Sequence, residues 1–102
     1  MVALGVSIPA LSISVDFTYT PATEYTDGTP MPLTQIAETK IYCNGNLVDT
    51  EPGADGAFTV DLMPGSYSCY GTHVDIFGRE SDPSNTITKQ VLPGMPRPPV
   101  LD

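Results

Sequence analysis

The chain has 102 residues and a mass of 10.8 kDa, enough for one domain around one hydrophobic core. Hydrophobic residues make up 40% and charged residues 16%, which excludes a disordered acidic tail and a membrane-embedded chain. Four Lys and Arg against twelve Asp and Glu leave a net charge of −8, too few cations to line a phosphate-binding groove, so neither nucleic acid nor an anionic membrane surface is expected as a partner.

The fold class follows from the pass along the chain. Residues 1–10 form an uncharged apolar arm in which Val2, Leu4, Val6 and Ile8 alternate with smaller residues. The arm has no basic segment ahead of its apolar residues, so no secretory signal is expected. It is also too short to span a bilayer, and Pro9 interrupts it.

From Leu11 to Thr20 (LSISVDFTYT) apolar and polar residues alternate without exception. That period of two predicts a half-buried strand. Pro21 to Leu33 is a polar, proline-punctuated connection with an Asp27-Gly28 turn signal. Ile36 to Cys43 resumes strand character and meets Asn44-Gly45, the preferred pair for a type I′ hairpin because both positions need positive φ. The return strand is predicted over Asn46–Asp49, and Thr50 to Gly56 as a turn-rich loop.

Phe58, Val60 and Leu62 mark another strand, Met63-Pro64-Gly65 a turn, and Ser66 to Asp75 the longest later strand. Gly78 to Ser84 reads as a loop and Asn85 to Leu92 as the last strand. Pro93 to Asp102 holds four prolines in ten residues and is predicted as an extended tail. Short strands at regular spacing make an antiparallel β-sandwich the expected architecture.

The sequence contains no catalytic or metal motif. His73 is the sole histidine, near Asp75, and a Ser–His–Asp relay would need a positioned serine and an oxyanion site that nothing signals. Asp49, Glu51 and Asp55 crowd one region without a calcium-loop spacing. The two cysteines, Cys43 and Cys69, fit no zinc motif. A disulfide and two small buried thiols are both open, with thiols favoured where no export signal is read. The expectation is therefore a non-enzymatic protein with no cofactor and no metal.

Two stretches carry a family resemblance. Leu62-Met63-Pro64-Gly65-Ser66-Tyr67-Ser68-Cys69 and His73-Val74-Asp75-Ile76-Phe77-Gly78-Arg79-Glu80-Ser81-Asp82-Pro83-Ser84-Asn85 resemble the fibronectin type III family, an immunoglobulin-like β-sandwich. Thr39 to Cys43 is similar to that family's third strand, and Asp27-Gly28-Thr29-Pro30 to a preceding loop in its phage and bacterial members. The resemblance covers residues 11–92, between the arm of residues 1–10 and the tail of residues 93–102. Tyr19 stands where the family usually carries a core tryptophan. Only ten residues precede Leu11, and Pro9-Ala10 makes a poor two-residue turn. An irregular first strand is expected, paired either locally or with a neighbour.

The resemblance implies that Cys43 and Cys69 lie close together on neighbouring strands, as packed thiols or, alternatively, a cross-strand disulfide. It also implies a structural role. The family occurs widely on phage particles, so the chain is expected to be a virion protein, assembled in the host cytoplasm and decorating the capsid. It would be anchored to capsid or other virion subunits, or to copies of itself, through Val2, Leu4, Val6, Ile8, Pro96, Pro98 and Val100. The alternative is a secreted or cell-surface bacterial adhesion module that binds host-surface glycans. Tyr25, Tyr42, Tyr70 and Phe77 are the candidate recognition residues for either role.

Overall fold

Alternation puts Ile13, Val15 and Phe17 on one face of β1 (Ile13–Thr18), which pairs antiparallel with β4 (Ala57–Leu62) in the computed structural model, where residues 11–102 are described. Phe17 stands directly opposite Phe58, and both are buried. The second sheet has the order β3 (Asn46–Pro52), β2 (Ile36–Cys43), β5 (Gly65–Asp75), β6 (Ile87–Val91), with every pairing antiparallel. The protein is thus all-β, with two antiparallel sheets packed as a sandwich.

The core forms where the inner faces meet. Phe17, Phe58, Val60 and Leu62 from the small sheet pack against Ile41, Cys43, Cys69 and Val91 from the large one. Each fully buried aliphatic or aromatic side chain contributes about 1.5–3 kcal/mol. Tyr19 lies half-buried against this cluster, its ring 5.6 Å from that of Phe58.

Local chemistry fixes the turns. Asn44 and Gly45 have φ of 52° and 79°, the two positive values a type I′ turn demands. The Asn44 side chain ties the turn to β5: its Nδ2 donates to Ser66 O and its Oδ1 accepts from Ser68 N. Tyr67 Oη donates 2.7 Å to Met63 O, closing the corner through which the chain passes into β5.

Three boundaries differ from the sequence reading. β1 is shorter at both ends, and Leu11 is half exposed. β3 runs on to Pro52, opposite Glu38, through residues predicted as loop. Proline is tolerated there because β3 is an edge strand whose outer N–H groups need no ladder partner. β6 begins only at Ile87, because Ser81 and Ser84 occupy the edge of β5 in its place. Ser84 N donates to Gly71 O, and Gly71 N donates back to Ser84 Oγ; Ser81 makes the same exchange with His73. Pro83, between them, has no N–H to give a regular strand.

Cys43 and Cys69 are joined by a disulfide, not packed as free thiols. They are directly opposed on β2 and β5, and the Asn44 N–H to Ser68 O bond beside them marks a non-hydrogen-bonded pair. Side chains approach most closely at such pairs, which brings the two sulfurs within bonding range. The expected irregular first strand falls on residues 1–10, outside the described residues.

Candidate functional site

Three surfaces stand out: a groove at the end of β1, an aromatic ridge on the outer face of the large sheet, and the tail. β1 has β4 on one side and no strand on the other among the described residues. At the end of β1 opens a groove of about 1070 Å³. Its walls are β1 from Phe17 onward, β5 from Cys69 to Asp75, and the loops around Tyr25 and Ser81. An unpaired strand edge next to apolar walls can accept a further strand.

His73 lies in this groove with both ring nitrogens engaged. Thr39 Oγ1 donates to Gly53 O, so it accepts from His73 Nδ1–H at 2.9 Å, while Nε2 accepts from the Ala22 N–H at 3.2 Å. This arrangement holds the neutral imidazole and anchors the start of the loop that follows β1. Nearby, Tyr19 Oη donates to Glu51, whose carboxyl is pushed up by burial.

Asp75 is not the partner of His73. Its carboxylate accepts from the backbone N–H groups of Phe77 and Arg79 and pairs with the Arg79 guanidinium at 2.7 Å. Burial opposes its charge, yet the Arg79 and Phe77 hydrogen bonds together hold its carboxyl below the usual range. Asp49 and Asp55 cap backbone N–H groups at Thr50 and Ala57. No cluster of three potential metal ligands occurs among the described residues.

Burial holds the His73 imidazole below its ordinary value of 6.5. As pH falls the unfolded chain takes up the proton first, so the His73 contribution to stability is intact above about pH 6.5. It is lost progressively below that, and completely once the folded imidazole is protonated. Melting temperature is accordingly expected to fall between about pH 7.5 and 5.5, and the His73→Gln variant to lose that slope. A slope unchanged in the variant would assign the pH dependence to other groups.

The aromatic candidates divide. Tyr42 and Tyr70 are directly opposed on β2 and β5 and stack on the outer face, with centroids 5.0 Å apart and planes 19° from parallel. Tyr42 Oη and Thr72 Oγ1 both donate 2.7 Å to the same Glu80 oxygen, and these bonds keep the Glu80 carboxyl low. Tyr25 and Phe77 sit apart from this pair. They flank Arg79, with its guanidinium carbon 5.7 Å and 5.3 Å from their ring centres. Tyr25 Oη donates to Gln35, and Phe77 is 69% exposed.

The tail from Pro93 to Asp102 has no regular secondary structure and every residue is exposed. Pro96, Pro98 and Val100 all lie on it, and Met95, Val100 and Leu101 are 88–91% exposed. Val2, Leu4, Val6 and Ile8 fall outside the described residues. The serine contacts along β5 were not read from the sequence; their only advance signal was the Ser-Asp-Pro-Ser run itself.

Among the described residues no helix is long and apolar enough to cross a membrane. No family model matches the chain, and no curated protein or solved structure matches it significantly.

Proposed function

We propose that this chain is a non-enzymatic structural module with an immunoglobulin-like, fibronectin type III sandwich, which decorates a bacteriophage virion and attaches through its extended ends. The fold type is supported by the two sheets, β1–β4 and β3–β2–β5–β6, and by the Tyr67 corner. A tyrosine two residues before a cysteine, with its hydroxyl bonded back to the chain upstream, is a hallmark of such sandwiches.

The observation that carries attachment is the tail. Ten consecutive exposed residues bearing Met95, Val100 and Leu101 leave apolar area in water that a neighbouring subunit would bury. Among the described residues the second edge of β1 is unpaired, which adds an acceptor or donor surface suited to an alternating segment such as Val2 to Ile8. Deleting residues 93–102 or residues 2–8 is expected to release the protein from its particle and leave the sandwich folded. Co-sedimentation with the isolated particle tests this, and full occupancy by both truncated chains would reject the reading.

The disulfide favours a second reading, an extracellular adhesion module, because such bridges persist in oxidising surroundings. That reading predicts saturable polysaccharide binding that Tyr42→Ala or Tyr70→Ala removes, and a native mass near 10.8 kDa.

A further inference from the structure

Resting on the virion reading, we infer that the tail of one copy docks on the Tyr42–Tyr70 ridge of a second copy, so that decorating subunits are linked face to tail. The sequence of the tail shapes it for this. Proline fixes φ near −65° and holds the residue before it extended, so PGMPRPPVLD is biased to the polyproline II helix with its three residues per turn. At that period Pro93, Pro96 and Pro99 form one ridge, and Met95, Pro98 and Leu101 a second. The third ridge carries Arg97, one of only four basic residues in the chain.

The sheet face offers the complement. The stacked, half-buried Tyr42 and Tyr70 rings present an aromatic strip against which the apolar ridges of a proline helix can pack. Half-exposed Leu47, opposite Tyr42, widens it on one side. On the other side Ser68 and Thr88 are opposed and exposed, and their hydroxyls can donate to the free carbonyls of such a helix. Glu80, anchored at the Tyr42 hydroxyl, supplies the charge for Arg97.

Direction makes the occupant a second copy. β6 runs from Ile87, opposite Cys69, to Val91, opposite Gly65. The tail therefore leaves the sheet while moving away from Tyr70, about 17 Å along β5 at the usual strand rise. A contact between unlike surfaces is heterologous, and it closes into a ring or runs on as a chain.

Sedimentation equilibrium of the full chain over rising concentration tests the inference. Reversible association is expected, competed by a synthetic peptide of residues 93–102. Tyr70→Ala and Arg97→Glu should each weaken it by about tenfold, with Tyr70→Phe as the variant that keeps the ring and the association. The decisive arm mixes the two defective chains. The Tyr70→Ala chain keeps a sound tail and the Arg97→Glu chain a sound face, so one wild-type junction should re-form per pair. A monomer at every concentration, no recovery on mixing, or a β-glucan oligosaccharide that perturbs the tyrosines where the peptide does not would each overturn it. Association that persists in a chain found free of any particle would reject the virion reading and leave this inference standing.

Discussion

Reduction of the Cys43–Cys69 bridge is expected to lower the melting temperature by roughly 15–25 °C. The two cysteines are 26 residues apart, and closing a loop of that size removes unfolded-state entropy equivalent to about 3.5 kcal/mol. Small domains lose about 4–8 °C per kcal/mol, which gives the range. The closed loop contains all of β3 and β4 and the start of β5, so the bridge limits the freedom of two whole strands and part of a third at once. Cys69 is fully buried, and the reductant must reach it through transient opening. The shift should therefore develop slowly at room temperature and fully on heating. Calorimetry with and without a phosphine reductant makes the measurement, and a Cys43→Ala/Cys69→Ala chain should match the reduced protein. Equal melting temperatures in all three states would mean that the bridge contributes nothing.

Truncation of Phe58 to alanine comes next, at about 3–5 kcal/mol. Domains of this kind are held by only about 5–15 kcal/mol, so the variant should sit close to unfolding at room temperature. The cost is high because Phe58 meets the core on three sides. It faces Phe17 across the small sheet, it packs against Tyr19, and its inner face meets the large sheet. Among the described residues the small sheet has only two strands, and a two-stranded sheet has little stability without the surface it packs on. Urea denaturation provides the test. A loss under 1 kcal/mol would mean that the pocket collapses to fill the cavity, as well-adapted sites can.

Much of this architecture was legible before any coordinates. Alternation from Leu11 to Thr20 and from Phe58 to Leu62 gave β1 and β4 their inward faces, and Asn44-Gly45 marked the β2–β3 turn with its dihedral signs. These signals are local: period and turn chemistry act within a few residues. What escaped was non-local. Whether Cys43 and Cys69 bond depends on their being a directly opposed pair on two strands joined only in the fold. The resemblance brought the two cysteines close and left the bridge as the alternative, with thiols favoured where no secretory signal is expected. The extension of β3 to Pro52 was hidden because proline and acidic residues read as loop, although an edge strand accepts both. Tyr42 and Tyr70 were picked out singly as aromatics, and nothing in their 28-residue separation announced a stack.

The position of the disulfide also bears on how the protein would carry mechanical load. A pull on the tail enters β6 at Val91 and passes across the ladder that joins Ile87–Val91 to Gly65–Cys69. The strands are antiparallel and the ladder bonds lie across them, so such a pull shears the bonds together instead of opening them one by one. The far end of that ladder is Cys69, where the bridge hands the load to β2 through a covalent bond. The small sheet lies off this line. A subunit held at its Tyr42–Tyr70 face and tugged by its tail would thus bear tension through the larger sheet, and its thinner partner would stay slack.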